Sequence, residues 1–167
     1  MIYIYCDGAS KGNPGPGGFG LAVMNNIYIT HIYSKQYENI TNNQGELRGL
    51  LLALGLATTE YKNEQVIIYS DSAYCVNMFN NWIHTWAGNG WKNSKKQIVE
   101  NYDLVLKLYD FAKIEFPNFS VEKVPGHCGI LGNEIADAAA SNNKAKLVKI
   151  FQENKENTAN AKFFDFS

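Results

Sequence analysis

Ile2-Tyr3-Ile4-Tyr5-Cys6-Asp7, followed by the glycine- and proline-rich stretch Gly8 to Gly18 and by Phe19 to Met24, sets the fold class. An apolar run ending at an acid reads as a strand buried on both faces that delivers a carboxylate at its end. Five glycines with Pro14 and Pro16 make Gly8 to Gly18 a turn. Phe19 to Met24 and Ile27 to Tyr33 are β-branched and aromatic runs joined at Asn25-Asn26, the signature of a hairpin. Three consecutive strands of this kind predict an antiparallel meander.

Outward from this meander the periodicity changes. Apolar residues at 47, 50, 51, 54 and 57 predict a helix over residues 44–58, with Glu46 in its first turn. Gly45, Gly49, Ala53 and Ala57 form a small-residue stripe that lets this helix lie close to a sheet. Val66 to Ser70 is a second buried strand ending at an acid, Asp71. Residues 72–79 and 82–86 predict two short helices, 97–112 a longer one, Phe119 to Val124 a fifth strand and 132–141 an alanine-rich helix. The order predicts an α/β fold with a five-stranded mixed sheet, antiparallel over the first three strands and parallel over the fourth and fifth, flanked by helices. Residues 1–142 read as one domain. Residues 143–167, rich in Lys and Asn and ending Phe163-Phe164-Asp165-Phe166, read as an appended helix or flexible tail.

The chain has 167 residues, enough for one domain with a real core, and a net charge of −1. That balance excludes an overall basic coat for nucleic acid but leaves room for a local basic patch. The longest nearly unbroken apolar run, Leu50 to Ala57, is far short of the roughly 20 residues a membrane span needs. Three cysteines without CxxC spacing argue against a disulfide scaffold or a thiolate zinc site. With no secretory signal visible, the expectation is a cytoplasmic monomer. Gly15-Pro16-Gly17-Gly18-Phe19-Gly20 fits G-x-G-x-x-G, but it runs into a strand rather than a helix, so no dinucleotide site is expected.

Four acids stand where elements begin or end: Asp7, Glu46, Asp71 and Asp137. On pattern alone each has an ordinary reading. Asp71 could cap the following helix, Glu46 could favour a helix N-terminus, and Asp137 could lie on the surface. Brought together they would repel one another unless cations neutralised them. Oxygen-only ligands suit hard cations such as Mg²⁺, and a pair of such ions can activate water and stabilise a leaving oxygen.

Four ordered motifs bear on that choice. Asp7-Gly8-Ala9-Ser10-Lys11-Gly12-Asn13-Pro14-Gly15-Pro16-Gly17-Gly18 opens the chain. Thr41-Asn42-Asn43-x-x-Glu46-Leu47 and Tyr69-Ser70-Asp71-Ser72 follow, then Val124-Pro125-Gly126-His127-x-Gly129 continuing to Gly132-Asn133-Glu134-x-Ala136-Asp137. In content, order and spacing the set resembles type 1 ribonuclease H. The resemblance implies an endoribonuclease that hydrolyses the RNA strand of RNA/DNA hybrids, leaving 5′-phosphate and 3′-hydroxyl ends. It implies that Asp7, Glu46, Asp71 and Asp137 hold two Mg²⁺ ions, with Mn²⁺ as a substitute. Asp7 would bridge both, Glu46 and Asp71 would serve the leaving-group side, and Asp137 the water side. His127 would assist turnover.

The same resemblance assigns the hybrid's two strands. Asn13, Asn42 and Asn43 would contact the RNA strand, where the 2′-hydroxyl is the consistent handle. Thr41 and Asn101 match a pocket for a DNA phosphate. Trp82, Trp86, Lys92, Lys95 and Lys96 match a basic, aromatic protrusion on the DNA strand, with Trp91 expected to be mainly structural. Residues 80–102 carry three Lys against one Glu, a thin charge for this role. Gln44-Gly45 stands where the family often has Arg and a larger residue. A non-catalytic hybrid-binding module is the alternative, and its mark would be a missing carboxylate; none is missing. DNA nucleases of related fold lack the Asn13 and Thr41-Asn42-Asn43 set.

Overall fold

A computed structural model describes residues 1–167. The meander forms as β1 (Ile2–Ser10), β2 (Gly15–Asn25) and β3 (Tyr28–Ile40), each antiparallel to the next. Strands β4 (Val66–Ser70) and β5 (Phe119–Lys123) add in parallel on the β1 side. The turn expected over Gly8 to Gly18 is shorter than the composition suggests, because both strands run deep into the glycines and pair there, Ala9 opposite Gly18 and Ser10 opposite Gly17.

The sheet has six strands rather than the expected five. Residues 162–165 form β6 (Lys162–Asp165), which pairs in parallel with β3 and gives the order β5-β4-β1-β2-β3-β6. The terminal aromatics explain the extra strand. Phe164 stacks on His31 (5.7 Å) and Tyr33 (5.1 Å), and Phe166 on Tyr33 (6.0 Å). Cross-strand aromatic pairs are among the stronger local contributions to sheet pairing. Between β5 and β6 the chain forms α5 (Leu131–Ala140), α6 (Lys144–Glu153) and the short α7 (Lys155–Thr158), so residues 143–167 fold onto the domain.

Helix α1 (Asn42–Thr58) lies on one face with α2 (Ala73–Asn77), α3 (Ile83–Gly88) and α4 (Tyr102–Ala112). The main core there includes Ile4, Leu21, Leu50, Leu54, Ile68 and Leu108, all fully buried. A smaller cluster on the other face joins Ala22, Ile29 and Ile32 to Ile135 and Ala139 of α5, with Leu147, Ile150 and Phe151 of α6 against it. The two short helices expected over 72–86 are one continuous rod, α2 and α3 joined by a π-helical turn over Met78–Trp82. The helix expected from residue 97 starts only at Tyr102. Lys92 and Ile98 form a β-bridge, the Asn93 side chain accepts from the Lys95 and Gln97 amides, and Asn101 is left-handed (φ 56°).

Two features of this fold place acids together. In the β1–β4 register Cys6 lies beside Ser70, so Asp7 and Asp71, one residue further, emerge side by side. Helix α1 approaches β1 at two glycines. A Cβ on Gly8 would overlap the backbone of Gly45 and Glu46, and one on Gly45 would come 2.8 Å from the Gly18 carbonyl oxygen. Helix propensity alone would make Gly45→Ala stabilising by about 1 kcal/mol. The contact with Gly18 outweighs it, and we expect a net loss of about 1–3 kcal/mol in urea unfolding.

Candidate active site

Asp7, Glu46 and Asp71 have carboxylate oxygens within 4.8 Å of one another. Asp7 is buried (5% exposed), with its Oδ1 accepting from the Gly8 amide at 2.9 Å. Glu46 lies in the second turn of α1, not the first as the sequence suggests, because Thr41 caps the helix and Asn42 begins it. A favourable interaction with the helix N-terminus therefore does not account for Glu46, and its position over Asp7 does. Asp71 is not the cap of α2 either. Ser72 is, its hydroxyl accepting from the Cys75 amide at 3.1 Å, which leaves the Asp71 carboxylate free. A Cβ on Gly126 would come 2.9 Å from Asp71 Oδ2, so glycine there lets the loop after β5 pass the carboxylate without displacing it.

Asp137 arrives from the opposite face on α5, its carboxylate within hydrogen-bonding reach of Asp7. It also forms a second group with Glu134 and His127, again within 4.8 Å. His127 is exposed and left-handed (φ 53°), an uncommon conformation for a non-glycine residue and one that clusters at functional sites. Lys146 of α6 closes this side, 2.6 Å from Asp137 Oδ2 and 2.8 Å from Glu134 Oε2. No motif or spacing in the sequence pointed to Lys146. It lies nine residues past Asp137, across the helix break at Asn142-Asn143, where no periodicity links the two.

The two sides differ electrostatically. Burial, and then repulsion from Glu46 and Asp71, pushes the Asp7 carboxyl far above the ordinary carboxylate range. Burial also pushes Glu46 up to about 7, with Asp71 and Asp137 adding to it and hydrogen bonds from Asp7 and Gly8 opposing it. Without a cation these two carboxyls share a proton and titrate as a pair. At Asp137 burial acts in the same direction and is the largest single effect, but the hydrogen bonds from Lys146 and Asp7 and the charges of Lys146 and His127 together outweigh it and hold that carboxyl below its ordinary value.

The donor set fits a hard divalent cation. All the ligands are oxygen, three like charges are packed together, and Glu46 Oε2 is buried with no hydrogen-bond partner.

The polar residues assigned to the two strands of the hybrid come together in the structure. Asn13, Thr41, Asn42, Asn43 and Asn101 line one hollow of about 470 Å³ together with Glu100, which was not anticipated and is acidic. Asn13 Oδ1 accepts from the Asn42 amide (3.0 Å), Asn42 Oδ1 accepts from the Ser10 hydroxyl (2.9 Å), and the Thr41 hydroxyl is engaged in capping α1. Trp82 is 40% exposed and lies edge-on to Tyr74 and tilted against Trp86. Trp91 packs between Tyr102 and Tyr109, and Lys92, Lys95 and Lys96 are all exposed beside it.

A mixed sheet that brings three carboxylates to one point is the architecture of a hard-cation site. The RNase H family model matches residues 1–145. A ribonuclease H of Orientia tsutsugamushi is 41% identical over 164 residues, covering 98% of this chain and 92% of that protein. One of Symbiobacterium thermophilum is 40% identical over 140 residues, covering 83% and 91%. Among solved structures, LC9-RNase H1, a type 1 RNase H with the type 2 active-site motif, is 26% identical with a TM-score of 0.66, covering 83% of this chain and 71% of that one. LC11-RNase H1 in complex with an RNA/DNA hybrid shares the fold, with a TM-score of 0.61 at 22% identity over 84% of this chain and 96% of that one. The chain belongs to the RNase H family, type 1.

The raised carboxyls set a pH dependence. Unfolded, Asp7 and Glu46 release their protons near 3.8 and 4.5, whereas the folded pair gives up one proton at about 7 and the last at about 10. The folded state binds more protons over that window, so metal-free stability falls as pH rises from about 4 to about 10. Asp7→Asn is expected to flatten this slope and to be more stable than the wild type at pH 7.5 in EDTA, by about 1–3 kcal/mol in urea unfolding.

Proposed function

We propose that this chain is an endoribonuclease that hydrolyses the RNA strand of RNA/DNA hybrids, using two Mg²⁺ ions and leaving 5′-phosphate and 3′-hydroxyl ends. The convergence of Asp7, Glu46 and Asp71 on one point, with an orphaned buried oxygen among them, carries this reading. The ions would supply an activated water and a counter-charge for the leaving 3′-oxygen, Mn²⁺ serving in place of Mg²⁺.

The chain's own residues do the rest. Asp7, lying among Glu46, Asp71 and Asp137, would be the carboxylate shared by both ions. Glu46 and Asp71 would hold the one on the leaving-group side, and Asp137 the one on the water side. His127, beside Asp137 on an exposed loop, takes up and returns a proton during turnover. Asn13, Asn42 and Asn43 offer amide groups to the RNA strand, whose 2′-hydroxyl both donates and accepts. Trp82 and Trp86 give the DNA strand an apolar surface for sugars and bases. Lys92, Lys95, Lys96, Thr41 and Asn101 give it cationic and polar phosphate contacts. Glu100 in that cleft opposes phosphate, which together with the few lysines makes hybrid binding modest and salt-sensitive. Three free thiols suit a reducing cytoplasm.

End-labelled RNA/DNA hybrid, duplex RNA and duplex DNA, each incubated with Mg²⁺ or EDTA, test the reading. We expect cutting of the hybrid's RNA strand alone, only with metal. Asp7→Asn should lose at least about a thousandfold in rate, roughly 4 kcal/mol of transition-state stabilisation. Tight hybrid binding without cutting by the wild type would favour a binding module instead.

A further inference from the structure

Lys146 belongs to α6, outside the four motifs, yet its ammonium lies on an active-site carboxylate. Its contacts to Asp137 Oδ2 (2.6 Å) and Glu134 Oε2 (2.8 Å) are short, charge-assisted hydrogen bonds, and all three side chains are less than a third exposed. The helix that carries it is fixed in place. The Asn143 side chain accepts from the Lys146 amide at 3.0 Å, the Asn143 amide donates to the Ala138 carbonyl at 2.8 Å, and Leu147, Ile150 and Phe151 pack on the α5 side of the sheet. Lys146 is therefore held over Asp137 by the fold rather than by the ion pair alone. The other charged groups facing this spot are Asp7 from β1, His127 from the loop before α5, and Lys149 and Glu153 from α6.

We propose that Lys146 is a built-in counter-cation of the active site, which competes with divalent metal for Asp137 and so lowers the affinity of that side for metal. The inference rests on the metal-dependent reading above. Two effects act in the same direction. The ammonium donates to the oxygen that a cation on this side would take. Its positive charge would also repel a cation held by Asp137. In return, Lys146 keeps Asp137 and Glu134 in one orientation when no ion is bound. Lys146 is thus a positioning residue: it acts on the reaction through Asp137.

Lys146→Met removes the charge and keeps the aliphatic stem; Lys146→Arg keeps the charge. Mn²⁺ is titrated calorimetrically into each protein without nucleic acid, and Mg²⁺ into a hybrid-cleavage assay. We expect Lys146→Met to bind Mn²⁺ about fivefold more tightly than the wild type. That is the upper end for a partly screened ion pair, ~1 kcal/mol. The Mg²⁺ midpoint for cleavage should fall by a similar factor, and Lys146→Arg should match the wild type in both. An unchanged or weakened Mn²⁺ isotherm in Lys146→Met overturns the proposal and leaves a structural ion pair only. Should Lys146→Met melt too low to titrate, Lys146→Gln is judged by the same criterion. Failure of the ribonuclease reading looks different: the wild type would not cut hybrid at any metal concentration, whatever the isotherms.

Discussion

The close approach of α1 to β1 is the constraint on which the rest of the site depends. Asp7 has no freedom of its own, since it lies in a strand whose preceding residues are paired on both sides, with Ile2, Ile4 and Cys6 buried. Glu46 reaches it only because Gly45 and Gly8 leave no side chain between helix and strand. Each glycine is a poor residue for its element, at up to about 1 kcal/mol relative to alanine. Bringing two carboxylates together near the core costs further through desolvation and repulsion. These penalties are offset by the apolar cluster beneath, in which Leu47, Leu50 and Leu54 of the same helix are fully buried. The helix that stabilises the fold thus also carries one of its unfavourable charges.

The two sides of the site meet the same problem differently. Around Asp7 and Glu46 no protein cation approaches, and the carboxyls respond by retaining a proton. Asp137 is charged in the same surroundings because Lys146 stands beside it. The first side thus offers a hard cation a buried oxygen without a hydrogen-bond partner, whereas on the second side the carboxylate is already bonded to an ammonium. This asymmetry follows from which elements surround each acid. Strand ends and α1 bring carboxylates, whereas only the segment after α5 brings a lysine.

How much was legible in the sequence follows the same division. The succession of elements, the antiparallel meander and the parallel placement of β4 and β5 were readable from local patterns, whereas the meeting of Asp7, Glu46 and Asp71 was legible only through the resemblance carried by the four motifs. Element bounds were less so. The helix at Tyr102 was extended back to residue 97 because propensity does not register a left-handed Asn101 or an Asn93 side chain closing a turn. Glu46 was placed one turn too early because the Thr41–Gln44 capping box was not read as the helix start. Lys146, Glu100 and β6 were missed because each depends on a contact between distant segments. Nothing near Phe164 in sequence announces His31 and Tyr33 as its partners.

The last of these contacts ties the extension to the chemistry. A sheet ending at β3 would expose the backbone of a 13-residue strand, a long template for unwanted pairing. Strand β6 covers part of that edge with four residues and is itself too short to offer much of a new one. Its attachment continues past the strand, where the Phe166 amide donates to the Ser34 carbonyl (2.9 Å) and the Gln36 amide to the Ser167 hydroxyl (2.7 Å). Upstream, the Asn157 side-chain amide donates to the Ile27 carbonyl (3.0 Å), at the start of the same edge. Helix α6 is therefore held at both ends, by Asn143 against α5 and by α7 and β6 against β3. A lysine on a loose tail would spend little time on Asp137, because the entropy of ordering its long side chain and backbone would exceed the gain from an exposed ion pair. Fixing α6 through the sheet edge removes most of that ordering cost, so that pairing at β6, more than 20 Å of chain beyond Lys146 if extended, sets how firmly the ammonium sits in the active site.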